Sequence, residues 1–215
     1  MNWGSLDATW QECFRLGWTS FINDETAIGA VITDGNGRII SKGRNSQRSK
    51  ASNEIQIAGN QICHAEMNAI LGLYALDVSD YSDLTLYTTT EPCPMCYGTY
   101  IMSDLRNMVF AARDPFAGSS NMQNTTEYLK RKSARHILNG PIAELEEYQM
   151  ILSTIIQIRY TGRDNPCVIA RLKIFPNLLE KSERLMNDKT FNDFAENKVK
   201  TEKVFNFICT EAWMK

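Results

Sequence analysis

The chain of 215 residues has only two histidines and no long hydrophobic run. No stretch approaches the eighteen consecutive apolar residues of a membrane-spanning helix, so we expect no membrane partner. The first twenty residues include Asp7 and Glu12 and lack an apolar run, so no signal peptide is visible. A cytoplasmic location is therefore expected.

A general excess of positive charge is also missing. The chain has 23 Lys and Arg against 25 Asp and Glu, a net charge of -2, and an isoelectric point near 5.8. Without a general basic field, the sequence does not favour a nucleic-acid partner, although it leaves room for a local basic patch. The content of 43% hydrophobic and 22% charged residues is ordinary for a globular domain with a proper core.

Six cysteines occur, but no export signal accompanies them. In such a chain, cysteines are more typical of metal sites and buried thiols than of disulfides. Cys13, Cys167 and Cys209 stand alone in the sequence, and we expect them to be small core residues.

Short β-rich runs alternate with helical patterns along the chain. Two β-rich runs flank the turn at residues 34–37, and helices are expected near the N-terminus, from residue 64, over 94–102 and after Pro141. Residues 46–62 are polar and are expected to form a long loop, and residues 118–135 form a second polar stretch. Further strands are expected at 83–90, 107–113 and 165–175. This order predicts an α/β sandwich, a sheet covered by helices on both faces.

The segment "CHAEMNAI" places His64 two residues before Glu66, at the head of an apolar stretch in which Met67, Ile70 and Leu71 have helical spacing. By itself, such a pair is most often a helix cap and an ordinary first-turn acid. Downstream, "TTTEPCPMCYG" places Cys93 three residues before Cys96. A C-x-x-C alone is compatible with a redox pair, half of a zinc finger or two core thiols.

The two motifs together predict a catalytic zinc site. A closed structural site needs four protein ligands, and the sequence has no second C-x-x-C and no H-x-x-x-H. Cys63 is disfavoured as a fourth ligand because adjacent side chains on a helix diverge by about 100°. His64, Cys93 and Cys96 therefore leave one position open, and Glu66 is placed to reach a metal-bound water from the first helical turn.

H-x-E followed by P-C-x-x-C is the signature of zinc nucleobase deaminases. The chain resembles the cytidine deaminase superfamily, in the branch of bacterial tRNA wobble-adenosine deaminases and guanine deaminases. The resemblance runs from about Leu6 to Arg159 through "GAVITD", "HAEMNAI", "LYTTTEPCPMC" and "VFAARD". It implies a three-layer α/β/α fold with a mostly five-stranded mixed sheet, Zn²⁺ on His64, Cys93 and Cys96, and Glu66 as the catalytic proton shuttle.

The same resemblance implies a set of substrate-binding residues: Asn45, Ala65, Glu91, Pro92 and Asp114. Two of them have simpler explanations from the sequence. Asn45 is also typical of a plain turn, and Asp114 of a cap for the turn that follows it.

The sequence before His64 differs from that of the tRNA-editing branch, and this difference bears on the substrate. That branch has a short loop, commonly D-P-T-A, before its histidine, whereas this chain has a longer stretch without proline between Asn45 and His64. We expect a small aminopurine base or nucleoside as substrate. A tRNA adenosine, a cytosine or cytidine-type substrate, and a zinc-stabilised interaction protein without activity are the alternatives.

The chain also continues some fifty residues beyond that branch. We expect a deaminase domain over residues 1–165, a mostly helical extension over 166–215, and a homodimer. The extension is rich in aromatic residues, which are expected to pack on the core or at an interface between copies, or else to close the pocket. The aromatic residues are Phe191, Phe194, Phe205, Phe207 and Trp213.

Overall fold

The computed structural model describes residues 1–49, 57–73, 76, 78 and 81–214. Its five strands form one mixed sheet in the order β2-β1-β3-β4-β5, in which β1 is antiparallel to β2 and β3, while β3, β4 and β5 are parallel. The strands are β1 Gly29–Thr33, β2 Ile39–Arg44, β3 Thr85–Thr90, β4 Asn107–Ala112 and β5 Ile137–Asn139.

Nine α-helices in this part of the chain surround the sheet. They are α1 Ala8–Phe21, α2 Ala65–Leu73, α3 Pro94–Met102, α4 Glu127–Ser133, α5 Ala143–Thr161, α6 Pro166–Leu172, α7 Leu178–Asn187, α8 Lys189–Glu196 and α9 Thr201–Cys209. None of the described helices is long and apolar enough to cross a membrane.

Two hydrophobic clusters lie on opposite faces of the sheet. Val31 of β1 faces a cluster with α1 and α5, whereas its neighbours Ala30 and Ile32 face a second cluster with α2 and α3. This alternation follows from the two-residue period of a strand. The three-layer α/β/α fold with a five-stranded mixed sheet is thus confirmed.

The fifth strand is not where the sequence pattern placed it. Residues 165–175 were expected to form a strand, but they form α6, which Asn165 caps and Pro166 begins. A side-chain cap followed by proline at the first helical position is a helix start, and it outweighs the short apolar run. The real fifth strand has only three residues at the sheet edge, two of them exposed, so no hydrophobic alternation marks it.

Two helical details also differ from the sequence interpretation. The polar stretch at residues 118–135 contains α4, a helix that the sequence pattern did not predict. In α2, Leu71 is exposed, and the buried apolar positions are instead Ala65, Ala69, Ile70 and Leu73. The start of α2 lies against β2 at Gly43, so contact with the sheet, and not the local periodicity alone, decides which face of the helix is buried.

The helices after residue 165 pack against the layer of α1 and α5. Phe191, Phe205 and Trp213 are buried in the same cluster as residues of those two helices, and Phe194 and Phe207 pack against it. The N–H group of the Trp18 ring also donates to the carbonyl oxygen of Val199 at 2.9 Å. The domain boundary at residue 165 stays a prediction, but the aromatic residues beyond it contribute to the core.

Replacing Phe205 with alanine is expected to lower the free energy of unfolding by about 3–5 kcal/mol, the usual range for a buried phenylalanine. The ring is fully buried and lies 4.7 Å from the ring of Tyr148 and 5.5 Å from that of Phe14. Urea denaturation measures the loss. Phe207→Ala, which truncates a partly buried ring, is the control. An equal effect of both substitutions would contradict this packing role.

Candidate active site

The cysteine motif begins directly after β3. Cys93 is the N-cap residue of α3, and Cys96 lies in the first turn. Pro94 is tolerated between them because an N–H group at the first helical position has no hydrogen-bond partner within the helix. Both sulfur atoms therefore lie at the start of α3. The positive end of a helix dipole favours thiolates at such a position.

The second motif lies at the start of α2. His64 directly precedes the helix and Glu66 is in its first turn. The helix can lie close to β2 because residue 43 is glycine: a Cβ there would come within 2.1 Å of the Ala65 carbonyl oxygen. This close contact brings the start of α2 to the edge of the sheet where β3 ends.

The two helix starts bring three ligand atoms together. Nδ1 of His64 lies 3.6 Å from Sγ of Cys93 and 3.5 Å from Sγ of Cys96, and all three atoms lie within 4.8 Å of one another. Tetrahedral zinc with bonds of about 2.3 Å to sulfur and about 2.0 Å to nitrogen separates such atoms by about 3.6 Å. The donor set and its spacing fit zinc. In the described part of the chain, this cluster has three members, and Cys63 is buried outside it.

The electrostatics of the cluster favour a thiolate at Cys93 and a neutral thiol at Cys96. The Cys96 thiol and the His64 ring, which hydrogen-bond to Cys93, lower the pKa of Cys93 to about 4. The hydrogen bond to Cys93 and burial raise the pKa of the Cys96 thiol. Burial acts to lower the pKa of the His64 ring, but the hydrogen bond between the ring and Cys93 and the charge of Glu66 outweigh it and raise that pKa.

Glu66 points from α2 toward the cluster. Its carboxylate is buried, with Oε1 accepting from the Thr88 hydroxyl at 2.9 Å and Oε2 accepting from the Cys96 thiol at 3.4 Å. Burial raises the pKa of this carboxyl group. A carboxyl group with a raised pKa, held beside a metal site, can accept a proton and return it near neutral pH.

The predicted substrate residues Asn45 and Ala65 lie beside His64 and bond to each other. Oδ1 of Asn45 accepts from the backbone N–H of Ala65 at 2.9 Å, so Asn45 caps α2 from twenty residues away. Its amide nitrogen lies 3.4 Å from Oε1 of Gln47. The interpretation of Asn45 as a plain turn residue is therefore incomplete, because its side chain fixes the start of α2.

The other predicted substrate residues organise the loop after β4. Glu91 accepts through Oε2 from the backbone N–H of Asp114 at 3.0 Å and through Oε1 from that of Ser120 at 3.2 Å. The carbonyl oxygen of Pro92 accepts from the N–H of Ser119 at 2.9 Å. Asp114 caps the turn, since its Oδ1 accepts from the N–H of Phe116 at 3.0 Å.

Three side chains near the site were missed by the sequence interpretation. Thr88 holds Glu66, and the amide of Gln47 lies 3.2 Å from Nε2 of His64. The fully buried Glu25 accepts from the backbone N–H groups of Arg48 at 2.8 Å and Ser49 at 2.7 Å, which anchors the segment beside His64. Of the three, only the position of Thr88 could have been inferred from the sequence. Thr88 follows Leu86 by two residues and therefore lies on the same face of β3.

Comparisons with known proteins agree with this geometry. The sequence model of the family described as "Cytidine and deoxycytidylate deaminase zinc-binding region" matches residues 6–112. A tRNA(Ile)-lysidine synthase of Deinococcus radiodurans is 34% identical over 115 residues, which are 53% of this chain and 18% of that protein. The chain thus spans less than a fifth of that relative.

Two further relatives match most of their own length. A tRNA-specific adenosine deaminase of Bacillus subtilis is 32% identical over 127 residues, covering 56% of this chain and 70% of that protein. The structure of a guanine deaminase from Nitrosomonas europaea shares the fold with a TM-score of 0.51 at 22% identity, over 69% of this chain and 82% of that one. The chain therefore belongs to the zinc-binding cytidine and deoxycytidylate deaminase family, within the cytidine deaminase superfamily.

Proposed function

We propose that the protein is a zinc-dependent hydrolytic deaminase that removes the exocyclic amine of an aminopurine base or nucleoside. One observation carries the proposal: the Glu66 carboxylate is buried within 3.4 Å of the Cys96 sulfur, beside the cluster of His64, Cys93 and Cys96. A protein that used zinc only for stability would not need a buried carboxylate at this position.

The reaction needs a nucleophile and a group that moves protons. His64, Cys93 and Cys96 would hold zinc, which as a Lewis acid would lower the pKa of water to about 7. Glu66 accepts a proton from the water whose oxygen adds to the amine-bearing ring carbon, and returns it to the nitrogen. The carbon–nitrogen bond then breaks, and the amine leaves as ammonia.

The predicted substrate contacts fit around this centre. We place the amide nitrogen of Asn45 against the ring of the substrate, since its oxygen is already used by the Ala65 N–H. Glu91 and Pro92 precede Cys93, and we place them against the substrate on the side of α3. Asp114 closes the mouth through the loop that Glu91 holds.

A purine is supported by the Bacillus subtilis relative, whose name gives adenosine as its substrate. A small substrate is supported by the net charge of -2 and by the long segment before His64. The same relative favours tRNA adenosine as the second candidate, because its adenosine lies within tRNA. The homodimer and the cytoplasmic location stay predictions, and light scattering would test the first.

A substrate panel with ammonia release as readout tests this proposal. Guanine, adenosine, cytosine, cytidine and a tRNA anticodon stem-loop are offered to the zinc-loaded protein, and the Glu66→Gln variant gives the background. We expect turnover of guanine or adenosine above that of the pyrimidines and the stem-loop. Turnover of the stem-loop alone would show that the substrate is a tRNA adenosine. If no compound were turned over, the proposed deaminase activity would be wrong and the zinc would have only a structural role.

A further inference from the structure

A cavity of about 850 Å³ lies at the edge of the sheet opposite the zinc cluster. Its walls include Tyr81 before β3, Arg106 directly before β4 and His136 directly before β5, so it lies where the parallel strands begin. The zinc cluster lies where β3 ends. The six residues of β4 span about 17 Å at 3.3 Å per residue, so the two sites are separate.

The cavity has more cationic than anionic side chains in its walls. Its charged walls are Arg106, Arg131, Lys132, Arg135, Asp104 and Glu127. Lys132 pairs with Asp104 at 2.7 Å, but none of the three arginines forms an ion pair with another described residue. Three exposed arginines without an ion-pair partner around one cavity attract anions.

The cavity also offers groups suited to an aromatic ring. Tyr128 is 51% exposed and Tyr81 is half-buried, so both present ring surface to a ligand.

We propose that this cavity binds a free nucleoside phosphate, as a site separate from the deaminase centre. The guanidinium groups of Arg106, Arg131 and Arg135 match phosphate oxygens in bidentate geometry, and a tyrosine ring stacks on the base. The cavity volume lies within the range of about 300–1,000 Å³ that small-molecule sites occupy. This inference goes beyond the proposed function and does not depend on it.

Calorimetric titration with uridine 5′-triphosphate and Mg²⁺ tests the proposal, because this base has no exocyclic amine and is no deaminase substrate. The double variant Arg131→Glu, Arg135→Glu is expected to raise Kd at least about tenfold, since two charge-assisted contacts are lost. Lys189→Glu with Lys203→Glu, which changes the same charge on exposed residues of α8 and α9, is expected to leave Kd unchanged. Unaltered zinc content shows that the variants are folded.

Arg106→Gln provides a second, milder variant and should weaken binding in the same direction. Inorganic triphosphate should bind more weakly than the nucleotide, because it cannot stack on tyrosine. Absence of nucleotide binding, equal loss in the control pair, or binding of hexauridylate RNA without binding of the nucleotide would each overturn the assignment.

Discussion

Replacing Glu66 with glutamine is expected to abolish deamination while zinc stays bound. Glutamine keeps the size of the side chain and an oxygen that can accept from Thr88, but it cannot carry a proton between water and the departing amine. Loss of a general acid and base lowers kcat by at least about 10²–10⁴-fold. Ammonia release gives the rate, and metal analysis of the same sample gives the zinc content.

Glu196→Gln is the matched control for this experiment, because it makes the same change on an exposed residue at the end of α8. It should keep the rate and the zinc of the unaltered protein. A Glu66→Gln variant with near-normal turnover would mean that another group moves the proton.

Replacing Cys93 with alanine is expected to remove zinc and to lower thermal stability. The side chain supplies one of three ligand atoms, and the metal ties the start of α3 to the start of α2. A bound metal stabilises the folded state by about 2.7 kcal/mol when its free concentration is 100 times Kd, and the variant loses this contribution. Metal analysis and a melting curve with and without added zinc measure both effects.

Cys167→Ala is the control, since Cys167 is a half-buried free cysteine outside the cluster. Its zinc content should stay near one per chain, and its melting temperature should still rise when zinc is added. Full zinc occupancy in Cys93→Ala would show that Cys93 is not a ligand.

The sequence by itself predicted the centre of the candidate site, because each half of the site is a local feature. His64 and Glu66 lie at one helix start, and Cys93 and Cys96 at another, so residue spacing and helix geometry are enough to place their side chains. The first four strands were predicted for the same reason. Their apolar residues alternate or run continuously, and a strong turn joins the first pair.

The fifth strand and the surroundings of the site were decided by the tertiary structure. β5 is short and exposed, and its partner β4 lies about thirty residues earlier in the chain, so no local pattern identifies it. Asn45 caps α2 across twenty residues, and Glu25 anchors Arg48 across 23. Such hydrogen bonds depend on which backbone groups the fold buries without a local partner.

The difference between what the sequence predicts and what the fold decides is clearest at the two edges of the sheet. The predicted zinc ligands share one edge because β3 leads into α3, and the close contact of α2 with β2 at Gly43 brings His64 to it. The cationic cavity at the other edge joins Tyr81, Arg106 and α4, which no sequence motif connects. The sequence predicted which groups carry the proposed chemistry, since that depends on residue type and local spacing. The fold decided which distant groups surround them, since strand order alone brings those segments together.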